Sequence, residues 1–225
     1  ADFKADPVCV GQPTQFINQS DPVSNSSLTD YQWEFGEAGA TSTQQSPSHT
    51  YTAPGTYSVW LKVFDGFGCT DTIRKDVVVR PLPEVDFSAD TVCKGKTTTF
   101  KNLTTNAAQI DTWKWDFDDG GATDTSQTPS YTFSSFGVHN VTLIATDQNG
   151  CTDSLTKQVK VYSLPNPQFT NNQACLGEAT VFNNTTSPSG PLVKFHWDFG
   201  DGDTSSQRGP VHEYQSPGSY TVTLT

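Results

Sequence analysis

Apolar and polar residues alternate one by one along short stretches of this 225-residue chain, and that period of two stands every second side chain on one face of a β-strand. In Phe195-His196-Trp197-Asp198-Phe199 the three aromatic rings share a face and the polar residues take the other. Gly200-Asp201-Gly202 follows at once. Glycine's access to positive φ and aspartate's local hydrogen bonding end the strand in a tight turn. The arrangement recurs at Trp113-Lys114-Trp115-Asp116-Phe117 and at Tyr31-Gln32-Trp33-Glu34-Phe35. The tryptophans are 115 − 33 = 82 and 197 − 115 = 82 residues apart, so one folding unit is written three times.

The remaining apolar positions keep the same period. Each repeat opens on Phe3, Phe87 or Phe169 and runs into a cysteine turn, Cys9-Val10-Gly11, Cys93-Lys94-Gly95 or Cys175-Leu176-Gly177. A threonine-rich strand then ends at Phe16/Asn18, Phe100/Asn102 or Phe182/Asn184, ahead of the tryptophan strand. Beyond it lie Pro47 to Tyr51, Pro129 to Phe133 and Pro210 to Tyr214. Gly55, Gly137 and Gly218 open the longest alternating strand, with Tyr57/Val59/Leu61/Val63, His139/Val141/Leu143/Ala145 and Tyr220/Val222/Leu224 facing inward. A turn ending at Cys69 or Cys151 leads to a last strand carrying Val77 to Val79 or Val159 to Val161, and the third repeat stops at Thr225 before these elements.

About seven short strands per repeat, an aromatic third strand and a Gly-x-Tyr entry to the penultimate one predict an all-β chain of tandem immunoglobulin-like β-sandwiches arranged end to end. The expected modules are 1–80, 84–162 and 166–225, the last one truncated. Trp33, Trp115 and Trp197 are expected in the three cores, and Tyr57 and Tyr220 sit where a tyrosine corner would, with His139 breaking the rule between them. The linkers Arg80-Pro81-Leu82-Pro83 and Ser163-Leu164-Pro165-Asn166-Pro167 are short and proline-stiffened, which predicts a semi-rigid rod.

Composition and charge narrow the function. A net charge of −11 argues against nucleic acid and anionic membrane surfaces, both of which require basic patches. No apolar run approaches the ~20 residues that cross a bilayer, so no direct membrane insertion is expected. Methionine is absent, and the chain is read as a piece of a longer protein, with any signal peptide outside it. No nucleophile elbow, paired-histidine metal motif or phosphate loop is present, which predicts a non-enzymatic segment.

Trp197-Asp198-Phe199-Gly200-Asp201-Gly202, the Pro-x-His-x-Tyr segment, Pro217-Gly218-Ser219-Tyr220-Thr221-Val222-Thr223-Leu224 and the Asn-Gly-Cys turn together resemble the PKD (polycystic kidney disease) domain family. The resemblance covers essentially the whole chain. Repeat two departs from it with Asp118 for the first glycine, and repeat one with Glu34, Glu37 and Ala38. It implies seven-stranded sandwiches without catalysis of their own. The cysteine-containing tandem form is similar to modules of large secreted or surface proteins of bacteria, including adhesins and gliding-motility proteins. The implied function is therefore an extracellular structural or adhesive segment, touching neighbouring modules of its own polypeptide and a polysaccharide or a cell-surface protein. The alternative implied by the same family is an accessory, carbohydrate-binding or spacer region of a secreted hydrolase.

Five cysteines in a chain read as secreted suggest disulfides plus one unpartnered thiol. One reading pairs Cys9 with Cys69 and Cys93 with Cys151, leaving Cys175 over. In the usual sandwich, however, the turn after the first strand lies at the opposite end from the turn before the last one. A strand of about seven residues spans ~23 Å, whereas bridged Cα atoms lie within ~6.8 Å. Geometry therefore favours an inter-module staple, Cys9 to Cys151, with Cys69 and Cys175 directed to modules before and after.

Other residues invite sharper readings. Asp198, Asp201 and Asp203, with Asp116, Asp118, Asp119 and Asp124 in repeat two, offer oxygen ligands to calcium, but the spacing matches no EF-type loop and capping of the turn accounts for them equally well. No other cofactor is expected. His49 and His212 share a repeat position that Tyr131 fills in repeat two, which favours a framework role over that of a base. Asn-x-Ser/Thr sequons stand at Asn18, Asn25, Asn102, Asn140, Asn183 and Asn184, and the shared position of Asn18, Asn102 and Asn184 suggests a hydrogen-bonded loop. On the outer face of repeat one, Trp60 and Phe64 stand where the other repeats carry Thr142, Thr146 and Thr223, a candidate ligand surface.

Overall fold

The computed structural model of the chain describes residues 1–22, 26–105, 109–187 and 194–225. These fold entirely into strands and turns apart from a one-residue helical step, the all-β architecture expected of the alternating sequence. Two compact units result. One comprises Ala1–Asp90, Thr99–Tyr131 and His139–Val159; the other comprises Thr91–Thr98, Thr132–Val138 and Lys160–Thr225.

In the first repeat a five-stranded sheet runs in the order Val8–Cys9, Thr70–Arg80, Gly55–Asp65, Leu28–Glu34, Thr41–Ser42. Its partner layer is built from Phe3–Lys4 against Ile17–Asn18 and from Pro13–Gln15 against Ser48–Thr50. The opening segment thus begins in one sheet and ends in the other, where Val8 and Cys9 lie parallel to Val79 and Arg80. What reads in sequence as the start of a turn is this short parallel strand. The second repeat does the same with Val92 and Cys93 beside Val161 and Tyr162.

Alternation along the tryptophan strand places the indoles of Trp33, Trp115 and Trp197 in the interior, each fully buried. Phe3, Phe87 and Phe169 meet them edge-on, with ring centroids 5.2, 5.1 and 5.0 Å away, a geometry the aromatic quadrupole favours. Burying an indole also buries its N–H, which needs an acceptor. The three Nε1 atoms donate to the carbonyls of Gln44, Ser126 and Gln207, each at 2.9 Å. The Tyr57 and Tyr220 hydroxyls each donate to a carbonyl four residues upstream, Ala53 and Ser216, at 2.8 Å. His139, which replaces tyrosine between them, is buried instead.

The turn after the tryptophan strand brings its first residue against the long strand. Gly36 (φ +80°) and Gly200 (φ +80°) are left-handed, and a Cβ there would lie 2.9 Å from the Ser58 carbonyl oxygen and 2.5 Å from that of Thr221. Repeat two carries Asp118 at φ 53°, a conformation aspartate tolerates. Its Oδ2 accepts the backbone N–H of Asn140, the counterpart of Ser58 and Thr221, at 3.0 Å. Gly200→Ala should therefore destabilise the third repeat by about 2–3 kcal/mol. Gly177→Ala, equally left-handed but with open space around its Cβ, should cost only about 1 kcal/mol. Denaturant titrations of the two variants check the difference.

The repeats differ most along the long strand. Gly55–Asp65 and Gly137–Asp147 each pair with a last strand, Thr70–Arg80 and Thr152–Tyr162. In the corresponding stretch of the third repeat, residues 218–225, only Thr223–Leu224 are strand. The full-length strand expected from Gly218 onward is not formed, because a strand needs a neighbour to take its hydrogen bonds.

Candidate functional site

The tight turn, one candidate for chemistry on sequence grounds, is a repeated packing device. His49 stacks on Phe35 with centroids 4.5 Å apart, and His212 on Phe199 at 4.2 Å. The outer nitrogen of each imidazole then meets a turn carboxylate, Glu37 at 2.8 Å and Asp201 at 2.6 Å. In repeat two Tyr131 stacks on Phe117 at 4.2 Å and donates its hydroxyl to Asp119 at 3.0 Å. Histidine and tyrosine are interchangeable here because each offers a flat ring and a hydrogen-bonding atom at its far edge. The next aromatic closes the motif: the Tyr51 and Tyr214 hydroxyls donate to the carbonyls of Phe35 and Phe199 at 2.9 and 3.1 Å. Burial pushes the Tyr51 phenol well above its ordinary pKa, reinforced by the Glu37 charge. The rings serve as framework.

Of the calcium candidates, Asp201 and Asp203 approach each other, joined by His212, with one ligand atom from each within 4.8 Å of the others. Asp198 lies outside that group and accepts the Gly200 N–H at 2.9 Å. Asp201 is already engaged by the Asp203 N–H at 3.1 Å and by His212, whose hydrogen bond holds its carboxyl below the usual range. Two exposed carboxylates and an imidazole differ from the six to eight oxygens that calcium takes.

Cys9 and Cys151 form a disulfide with Cα atoms 5.6 Å apart, while Cys69, Cys93 and Cys175 are exposed thiols. The pairing register excludes the rival connectivity. Cys9 lies opposite Arg80, and Cys69 directly precedes the 11-residue strand Thr70–Arg80, whose length of roughly 36 Å separates them. Cys93, opposite Tyr162, is separated from Cys151 by Thr152–Tyr162 in the same way. The Asp147 carboxylate receives the Cys151 N–H at 2.8 Å. Burial acts to raise its pKa, but hydrogen bonds from Cys151 and Asn149 and the charge of Arg80 outweigh that and lower it.

The shared sequons are also framework. Asn18, Asn102 and Asn184 accept the backbone N–H of Ser20, Thr104 and Thr186 at 3.0, 3.0 and 2.8 Å. Those three hydroxyls in turn accept the N–H of Asp2, Asp86 and Gln168, the residues preceding the core phenylalanines. Asn25 lies outside the described residues.

Trp60 stands on the outer face of the five-stranded sheet, 43% exposed, with the Arg74 guanidinium 5.7 Å from its ring centroid. Phe64, two positions along the same face, is half-buried beneath Lys62 at 5.0 Å. Glu34 pairs across from Trp60 on the neighbouring strand. The result is a flat platform of an open ring, two cations and an acid. Sequence alternation located both rings; the flanking Arg74 and Glu34 follow from strand register.

A family model described as "PKD domain" matches residues 1–80, 78–162 and 163–225. A microbial collagenase of Vibrio alginolyticus is 45% identical over 64 residues, 27% of this chain and 8% of that protein. The pre-pro-metalloprotease PrtV of Vibrio cholerae is 32% identical over 146 residues, 61% of this chain and 15% of that protein. The chain therefore spans only a small part of the length of the relatives it matches. Among solved structures, the PKD1 domain of the Vibrio cholerae metalloprotease PrtV is 27% identical, with a TM-score of 0.32, covering 36% of this chain and 98% of that one. Each of the three family matches contains one of the buried tryptophans, and together they run the length of the sequence: this chain belongs to the PKD domain family.

Proposed function

We propose that the chain is a non-catalytic accessory and spacer region of an extracellular protein-degrading hydrolase, built of PKD modules at 1–80, 84–162 and 166–225. The observation that carries this reading is the similarity to a collagenase and to a metalloprotease. The Cys9–Cys151 disulfide supports an oxidising, extracellular setting. The adhesive-stalk reading, first in order on the sequence alone, draws on tandem repetition and proline-rich linkers. The named relatives favour the alternative, and cell adhesion and gliding motility receive no support from them.

Within this reading the Trp60 and Phe64 platform is the contact face toward insoluble substrate. An exposed indole in an open sheet face stacks on the ring of a sugar or on a peptide's proline, and such anchors carry most of an interface's binding energy. The test is retention of the 225-residue chain on fibrous collagen, cellulose and chitin, alongside an assay for peptide release from casein. The expected result is retention on one of the polymers, no peptide release, and about tenfold weaker retention of Trp60→Ala with an unchanged unfolding midpoint. Peptide release would overturn the accessory reading, and full retention of Trp60→Ala would remove the platform from it.

A further inference from the structure

The bond between Cys9 and Cys151 changes which part of the backbone a pull travels along. Chain order runs from Cys9 through the first repeat, the linker Arg80-Pro81-Leu82-Pro83 and most of the second repeat before it reaches Cys151, a sequence separation of 142. The disulfide makes the same step with Cα atoms 5.6 Å apart. A taut chain carries tension along its shortest covalent route. For any pull applied before Cys9 and after Cys151, that route leaves out residues 10–150.

The two pieces that stay on the route are short and straight. Phe3–Lys4 and Val8–Cys9 are strand, and the stretch from Phe3 to Cys9 reaches at most roughly 21 Å. In the second repeat the route enters at Cys151 and follows the 11-residue strand Thr152–Tyr162. A strand already rises ~3.3 Å per residue, close to the ~3.3–3.6 Å of a chain pulled straight, so it has almost no length left to give. It lies inside its sheet, between Val92–Cys93 and Gly137–Asp147. Tension that enters at one end and leaves at the other stays in the strand's own covalent bonds and does not peel it from either neighbour. Fully stretched, the bonded route from Phe3 to Tyr162 measures roughly 65 Å, whereas the same two residues are roughly 560 Å apart when the chain between them is drawn out.

We propose that the chain has a mechanical function: it is a tether whose first two repeats are bypassed by the Cys9–Cys151 bond, so that they add no slack under a pull along the chain. In an unbonded string of modules the weakest core yields first, and each opened module lengthens the string. Here the cores around Trp33 and Trp115 stand beside the force route. The faces of both repeats, including the one that carries Trp60, therefore keep their fold while the tether is taut. This inference goes beyond the accessory-region reading and does not depend on it.

Single-molecule stretching of the 225-residue chain, held by peptide tags at its two termini, tests the proposal. At full extension the parent chain should be shorter by roughly 490 Å than a chain carrying Cys9→Ser and Cys151→Ser. Dithiothreitol reduces the disulfide to two thiols as its own two thiols close into a ring, and it should add the same length to the parent. Trp33→Ala supplies a readout that survives even a first repeat that fails to fold. Because that repeat lies off the route, the variant should leave the parent's force–extension trace unchanged, and should lower or remove one unfolding event in the double-serine chain. Equal final lengths of the parent and double-serine chains would overturn the proposal, as would a parent trace that Trp33→Ala alters. Polymer retention and peptide release are read separately, so failure here leaves the accessory-region reading standing.

Discussion

Trp33→Ala is expected to destabilise the first repeat by about 3–5 kcal/mol, the range for truncating a large buried aromatic. Trp33 is fully buried and touches the ring of Phe3 at 5.2 Å, Phe16 at 5.5 Å and Phe35 at 6.4 Å. Its removal leaves a cavity among the rings of Phe3, Phe16 and Phe35, which lie at separate points along the chain, and an unfilled cavity adds to the lost burial. It also strands the Gln44 carbonyl, which accepts the indole N–H, adding the penalty of an unmade hydrogen bond. A small domain is stable by only about 5–15 kcal/mol, so this one change removes a large share. The third repeat has a core cluster of its own around Trp197. Thermal unfolding followed by circular dichroism should therefore split, with one transition moved down and another nearly unmoved. A single cooperative shift of the whole chain would contradict separate cores. Trp60→Ala, on the solvent face, serves as the matched control and should fall within about 0.5 kcal/mol of the parent.

Removing the disulfide with Cys9→Ser and Cys151→Ser together should give the second large effect. The bond closes a loop of 142 residues, and the chain-entropy relation assigns such a loop roughly 5 kcal/mol. That figure is a ceiling. It applies when everything inside the loop unfolds at once, whereas a repeat that opens while its neighbour stays folded gains back only part of the entropy. The double variant is expected to unfold at lower denaturant than the parent, with the first and second repeats affected and the third unaffected. Replacing both cysteines avoids leaving one buried thiol behind, since Cys151 is 0% exposed. Non-reducing peptide maps of the parent should recover Cys9 joined to Cys151. A map joining Cys9 to Cys69, or an unchanged unfolding curve, would refute the staple.

The fold was legible in the sequence to the extent that it depends on alternation. A period of two decides which side chains share a face, and Trp33, Trp115 and Trp197 lie buried where that period puts them. Turn chemistry was equally local: Gly36 and Gly200 adopt the positive φ that their strand-ending position requires. The interchange of His49, Tyr131 and His212 was visible as an alignment, and its reason came from the stack on Phe35, Phe117 and Phe199. The calcium candidates were separated by the same detail, because Asp198 caps Gly200 whereas Asp201 turns toward His212.

By itself, then, the amino-acid order determined three copies of an aromatic-cored sandwich, since each copy's core is written in residues a few positions apart on one strand face. Tertiary structure alone decided that Val8–Cys9 leaves the sheet of Phe3–Lys4 to lie beside Thr70–Arg80, and it joins Cys9 to Cys151, the pairing that turn geometry read from the sequence favoured without closing the alternative. Those outcomes depend on which strand edges and turns meet in space. Such meetings join residues tens to more than a hundred positions apart, over distances at which no local pattern carries a signal.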